Sequence, residues 1–503
     1  MEVRNFISAR EMIQEGNWWA TTMNLEPRLE KPPLPTWLTA ISALAFGGLD
    51  NLFALKLPAA LSATLMVFFF YGFCRELSKE KYLPFLGGVI MATSLLVVQQ
   101  GRTNSWDIYT HVFMMGSLWQ LIKALKRNTF INVFYSAVWM GLSILSKGPV
   151  SLYALWIPFI VAYGIGDGFA AWKKHWKWLV FILVVGLVIG FGWNLANYLS
   201  QPNATEYVLA KETTSWAERH VRPFYFYLHF PLYIGVWFVF IIASFFYKYA
   251  APRVNQWGNY KFSIFWILVS IFLLSVIPTK KERYLLPAIV PMCLMATYLV
   301  YDIIKRFKLN KASKSDHWVM GIFSILIFTV AVLIPFLLLF MARDASLFAK
   351  IVALTISLLG VVGFVFWKKR NIVYSIANAA LICALFCIGL IPITAEKFYN
   401  NPDFKSLAEI QKIEEFNGLQ YFTQREETDP RLVWFAGKPT QPLSKIDFKN
   451  APKESFVAIT LNPINEVIPQ EFLQNYEVIN YGSYDLFRKE VSWKAQVNML
   501  RLK

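Results

Sequence analysis

Apolar side chains arrive in blocks along this chain, and the blocks are too long for strands. Runs near the length needed to cross a bilayer core, about 20 residues, fall at 51–73, 82–99, 107–125, 130–146, 150–165, 178–198, 230–247, 262–278, 284–304, 318–341, 350–367 and 373–394. These predict an α-helical polytopic membrane protein with about twelve transmembrane helices. The apolar run 38–49 is shorter and reads as an interfacial helix. Residues 1–50 form a polar, Trp- and Pro-bearing segment with an amphipathic helix over 2–15, and 51–394 form the bundle. From 395 to 503 the chain is polar again, a small soluble α/β domain. There LVWFAG (432–437) and SFVAITL (455–461) read as strands, YEVINYGSYDLFRK (476–489) as a hairpin around Gly482, and 404–416 as helical.

Composition agrees with a membrane solvent. Of 503 residues 56% are hydrophobic, and the 16% that are charged fall well below the roughly 25% of soluble domains. The net charge of +17 does not point to nucleic acid, because the basic residues are scattered between spans instead of gathered on one domain. One set of connections, from RELSKEK (75–81) to KKR (368–370), holds twenty Lys and Arg, and the alternate set holds ten. By the positive-inside rule the first set is cytoplasmic. Both termini and the loops 99–106, 199–229 and 279–283 are then expected outside. The four cysteines show neither a disulfide framework nor zinc spacing. The sequon Asn203-Ala204-Thr205 is too short a pattern to carry weight.

The outer loops concentrate reactive side chains. LEPRLEKPPLPTW (25–37) sets Glu30 and Lys31 against three prolines and reads as a rigid, exposed connection. GRTNSWD (101–107), SKGP (146–149), AERHVRPFYFYLH (217–229) and PTKKERYLLP (278–287) follow on the same face. Each has an ordinary reading: Arg102 or Lys147 snorkelling to headgroups, Asp107 capping a helix, His220 in a plain loop. Together they suggest a polar cavity opening outward. Transfer of a sugar from a lipid phosphate needs cations at the leaving phosphate and a carboxylate for the acceptor proton. Lys31, Lys280, Lys281 and Arg283 suit the first need, and Asp107 with acidic groups near the N-terminus suits the second. A Glu and a His from separate loops could also hold a divalent ion.

At REMIQEGNWW (10–19) and LEPRLEKPPLPTWL (25–38), followed in order by GRTNSWD, LSKGPV, RHVRPFYFY and PTKKERYLLPAIVP, the chain resembles the bacterial GT-C glycosyltransferases of the aminoarabinose transferase and protein O-mannosyltransferase-like group. The likeness covers most of residues 1–300. It implies an inner-membrane enzyme moving a sugar from a polyprenyl-phosphate donor to lipid A, protein or another envelope acceptor at the periplasmic face, with membrane lipids around it. It further implies Lys31, Lys280 and Arg283 as donor-phosphate contacts and Asp107 as the acidic residue of the second outer loop. Arg102, Lys147, Lys281 and Tyr284 are substrate-binding candidates in the same motifs, and Glu30 with His220 are candidate metal ligands. The group begins its first outer loop with an Asp-Glu pair, where this chain reads Met1-Glu2-Val3-Arg4. Either a preceding span and its Asp are missing, which would also explain how 50 polar residues come to lie outside, or Glu2 takes the catalytic role. The expectation is an upstream in-frame apolar run ending in Asp. The alternative function is a lipid or glycan transporter, against which stands the lack of paired repeats or midplane charges.

Overall fold

The computed structural model describes residues 2–218, 220–341, 346–391, 404–424, 429–446, 448, 454–486 and 494–503. It divides into two compact units, Leu29–Thr394 and a unit made of Met1–Arg28 with Ala395–Lys503. The first 50 residues are therefore shared between the units, with the boundary between Arg28 and Leu29.

The larger unit is a helical bundle built round two helices that hardly touch its surface. In Trp106–Arg127 every residue from Trp106 to Leu118 is buried, polar Asp107, Thr110, His111 and Ser117 included. The helix Leu286–Lys308, entered through a 3-10 turn at Glu282–Leu285, is buried continuously to Ile303. Outer helices show apolar ridges instead: Val180, Val184 and Val188 on Ala170–Ser200, and Leu347, Ile351, Leu354 and Leu358 on Leu347–Lys368 stand exposed one turn apart. Exposed aliphatic ridges at that spacing are a lipid-facing surface. Phe130–Lys147 and Ala170–Ser200 approach closely at Gly141, Gly186 and Gly190, where a Cβ on Gly190 would sit 2.4 Å from Ile144 Cβ. Small residues at such crossings let backbones pack without hydrophobic drive from the solvent.

Each of the twelve expected spans coincides with helical structure, but the count of twelve does not follow from it. Among the described residues eight helices are long and apolar enough to cross, and nine if Leu83–Ala92 and Leu95–Arg102, bent by 56° to each other, make one span. Leu152–Asp167 and Tyr260–Val276 are shorter, and Trp106–Arg127 owes its place to burial within protein. The expected interfacial helix is Leu34–Ala45; at 12 residues, about 18 Å, it cannot span. Its lead-in is not exposed as expected: Pro32, Pro33 and Pro35 are buried, and Leu29 packs on Leu145 and Trp193.

In the smaller unit the helix Glu2–Gln14 forms as expected. Its buried Glu11 carboxylate accepts from Thr22 Oγ1 at 2.7 Å and the Asn24 amide at 2.7 Å, holding the hairpin of Thr22–Met23 with Glu26–Pro27. Arg10 donates to Val433 O at 3.1 Å, and the Asn24 side chain exchanges two 2.7 Å hydrogen bonds with the Thr440 backbone. These bonds join sequence positions over 400 residues apart into one domain. Its five-stranded sheet runs Thr440–Pro442, Gln420–Thr423, Phe456–Thr460, Lys494–Leu502, Tyr476–Asp485, with the first three parallel and the last two antiparallel. Residues 432–436 are helical, not a strand: Asp429 caps the Arg431 amide, Pro430 opens the helix and Gly437 closes it at φ +77°. A six-residue apolar run carries no period strong enough to override those stop and start signals. Nor is 476–489 a hairpin around Gly482. Tyr476–Asp485 is one strand with a bulge between Asn480 and Gly482, the glycine at φ +97°, paired to Lys494–Leu502; residues 487–489 lie outside those described. The expected helix at 404–416 is two short 3-10 turns, Leu407–Lys412 and Glu414–Phe416.

Candidate active site

Asp107 lies in the first turn of its helix and Lys147 in the last turn of the next, Phe130–Lys147. The two helices follow each other across a two-residue connection and run antiparallel, so the positive end of one helix dipole meets the negative end of the other. An acid belongs at the first and a base at the second. Lys147 Nζ accordingly donates to Asp107 Oδ1, and both side chains are more than nine-tenths buried. Gly148, at φ +81°, then turns the chain away and returns its amide to Ile144 O at 2.7 Å.

A third segment supplies Arg283 and Tyr284 on the 3-10 turn. Arg283 Nε stands 3.3 Å from Asp107 Oδ2, an ion pair without hydrogen-bond alignment. Lys147 Nζ lies 4.7 Å and the Arg283 guanidinium 5.6 Å from the Tyr284 ring centre, both within cation–π range. Lys31 is near enough to act electrostatically on Tyr284. Arg283 Nη2 is buried and has no hydrogen-bond partner among the described residues. One carboxylate thus faces two cations, leaving the trio a net charge of +1 and, among the described residues, an open donor.

Behind Asp107 a polar bracket fixes the turn. Asn104 Nδ2 donates to Thr39 Oγ1 at 2.8 Å and Leu55 O at 2.7 Å, while Tyr109 OH donates to Asn104 Oδ1 at 2.8 Å. All three side chains are buried. Asn104 sits inside the GRTNSWD motif, yet an asparagine before a helix reads equally as a cap, so nothing marked it as a strut.

The remaining candidates are distributed differently. Lys280 does not face the cluster: its Nζ donates to Ile277 O at 2.6 Å and Arg222 O at 3.0 Å, and burial lowers its pKa below the usual lysine range. Its backbone amide donates to His220 O at 3.1 Å. Lys281 is half-buried. Arg102 is exposed, and its Nη1 donates at 2.6 Å to Cys387 O in the π-helical turn Phe386–Leu390. Glu2 lies in the smaller unit. His220 is exposed with a left-handed backbone, φ +56°, and Glu30 is half-buried. Among the described residues no group of three or more His, Cys, Asp or Glu that could hold a metal ion comes together.

Comparison with known proteins supplies the context. Residues 30–193 match the family model described as dolichyl-phosphate-mannose-protein mannosyltransferase. Undecaprenyl phosphate-alpha-4-amino-4-deoxy-L-arabinose arabinosyl transferase of Photorhabdus laumondii is 23% identical over 61% of this chain and 56% of its own length. The enzyme of that name from Proteus mirabilis is 22% identical over 77% of this chain and 71% of its own. The chain spans a little over half the length of most of the curated relatives it matches. ArnT from Cupriavidus metallidurans in the apo state superposes with a TM-score of 0.73 at 15% identity, covering 99% of this chain and 93% of that one. The same protein bound to undecaprenyl phosphate gives 0.68.

The chain has the fold of ArnT, a GT-C fold, and resembles the mannosyltransferase family over residues 30–193. The GT-C fold accounts for the arrangement described above, a helical membrane bundle with a small sheet-bearing domain at the chain's end. The mannosyltransferase match contains Lys31, Asp107 and Lys147 and stops short of Arg283 and Tyr284, which tertiary packing brings to them.

Proposed function

We propose that the protein is a membrane glycosyltransferase that moves a sugar from a polyprenyl-phosphate carrier to a lipid, protein or glycan acceptor of the cell envelope. It works from the periplasmic face of a bacterial inner membrane. The observation that carries this reading is the Asp107–Lys147–Arg283 cluster with its net positive charge and an Arg283 Nη2 that has no hydrogen-bond partner among the described residues. As the glycosidic bond breaks, its electron pair passes to the carrier phosphate, whose charge grows. In this reading Arg283, Lys147 and Lys31 stabilise that growing charge, and Lys281 on the adjoining loop joins them. Tyr284 holds the two inner cations from one side. Both Asp107 oxygens are engaged, so its first task is to keep these cations buried and oriented. When an incoming phosphate draws Arg283 toward itself, Oδ2 is released and can accept the acceptor's proton.

The relatives' printed donor, undecaprenyl phosphate carrying 4-amino-4-deoxy-L-arabinose, is the first to try. In proteoliposomes the protein should release undecaprenyl phosphate as the sugar appears on acceptor, and Arg283→Gln should slow release by about 10²- to 10³-fold. Movement of an intact glycolipid between leaflets without any sugar transfer would establish the transporter instead.

A further inference from the structure

Two outer segments, 220–227 and 277–284, are laced together by backbone bonds. Val221 and Thr279 form an antiparallel bridge, the Arg222 amide donates to Pro278 O at 3.2 Å, and the Lys280 amide donates to His220 O at 3.1 Å. The lacing ends at Tyr227, whose phenol is 1% exposed. Its hydroxyl donates to Lys281 O at 3.1 Å and accepts from the Lys281 amide at 3.2 Å, so one side chain bonds both backbone groups of a single residue, whose carbonyl also accepts the Tyr284 amide at 3.0 Å. Lys281 caps the 3-10 turn that carries Arg283 and Tyr284, and Tyr227 is near enough to Tyr284 and Asp107 to act on both electrostatically.

We infer that Tyr227 is a positioning residue for the donor-phosphate site: its hydroxyl sets the height of the Glu282–Leu285 turn, and thereby the reach of Arg283 toward the carrier phosphate. This rests on the function proposed above. A turn of four residues held only by its own backbone would let Arg283 swing, and displacements of an ångström cost heavily in such sites. A backbone hydrogen bond from a buried phenol is a rigid tether because the ring has only two rotatable bonds and is packed.

Tyr227→Phe removes the tether and leaves the ring. The variant should raise the Kd for undecaprenyl phosphate and the KM for the donor about tenfold, with acceptor KM unchanged and the melting temperature lowered no more than by the control below. Tyr260→Phe is the matched control. It deletes a phenol donating to a buried carbonyl, Ser244 O at 2.9 Å, in another part of the bundle, and should leave donor binding alone. In an Arg283→Gln background Tyr227→Phe should add little, because its action passes through Arg283. Unchanged donor binding, an equal effect from Tyr260→Phe, or full additivity with Arg283→Gln would each overturn the inference. If Tyr227→Phe does not fold, hydrogen exchange of the wild-type Lys281 amide decides: slow exchange supports the tether and exchange at a loop rate refutes it. A wild type that neither binds undecaprenyl phosphate nor transfers sugar would sink the proposed function and this inference with it, whereas an active wild type matched by Tyr227→Phe sinks the inference alone.

Discussion

One helix carries buried charge at both of its ends, and the two ends are finished differently. At the start of Leu286–Lys308, Arg283 joins Asp107 and Lys147 in a cluster with a surplus cation and, among the described residues, an unused guanidinium nitrogen. Nineteen residues further, roughly 28 Å along the axis, Asp302 and Arg306 meet Arg253 and Asp316. That second cluster is neutral and complete. Arg253 donates to Asp316 Oδ1 through Nε at 3.1 Å and Nη2 at 2.9 Å, to Ser313 Oγ at 3.1 Å and to Tyr249 O at 2.7 Å. Tyr249 OH donates to Asp316 and Trp257 Nε1 to Asp302, both at 3.0 Å. Low dielectric makes every unmade bond costly, so a network that only braces helices closes on itself. A network that must receive an anion leaves a donor open. The contrast separates a brace from a site where hydropathy alone cannot.

Breaking the brace should cost the most stability and the least chemistry. Arg253→Met leaves Asp316 buried without its cation and should destabilise the bundle by about 3–5 kcal/mol, seen as a lowered melting temperature in detergent, with donor KM unchanged in the folded fraction. Arg283→Gln should do the reverse, lowering kcat by about 10²- to 10³-fold with little change in melting, measured by sugar release. If Arg283→Gln instead unfolds the protein while activity per folded molecule survives, the open cluster is a brace too. Third comes the lysine pair. Lys280→Met loses charge-assisted bonds to two carbonyls and should cost about 1.5–3 kcal/mol of stability, whereas Lys281→Met should chiefly raise the Kd for undecaprenyl phosphate. The reverse pattern would exchange their roles.

The smallest effect belongs to the brace's rim. Glu80 pairs with Tyr301 and with Lys305 at 3.4 Å, and the Tyr301 phenol, followed by Lys305, holds its carboxyl below the ordinary glutamate range. A depressed carboxylate stabilises the folded state above its unfolded pKa, and that contribution is lost as pH falls through the folded value. Side chains this exposed are well screened, so Glu80→Gln should shift stability by under about 1 kcal/mol near neutrality and not at all in acid. Melting curves at pH 7 and pH 3 check it.

The sequence marked the open cluster better than the brace. Lys31, Asp107, Lys147 and Arg283 stand in short motifs at the ends of apolar runs, where a charge is conspicuous. Arg253, Asp302 and Asp316 lie among many other charges on the basic side and drew no notice, because their pairing joins three segments with no shared spacing. Lys280 and Lys281 look alike in a row. Only the two carbonyls beneath Lys280 distinguish them. Tyr227 was one aromatic in a run of them, and its hydroxyl's partners belong to a loop over fifty residues away.

What the amino-acid order determined by itself was the solvent and the alternation of elements: apolar runs of helical length must be helices in lipid, since every backbone group needs a partner within its own segment. It also determined which residues could carry the chemistry, since a charge at a span end survives only where water or another charge meets it. The tertiary structure decided which of those charges face each other, that residues 2–28 complete the domain at the far end of the chain, and that LVWFA is a helix and not a strand. Those outcomes rest on contacts between positions tens to hundreds of residues apart, and a local pattern holds no record of them.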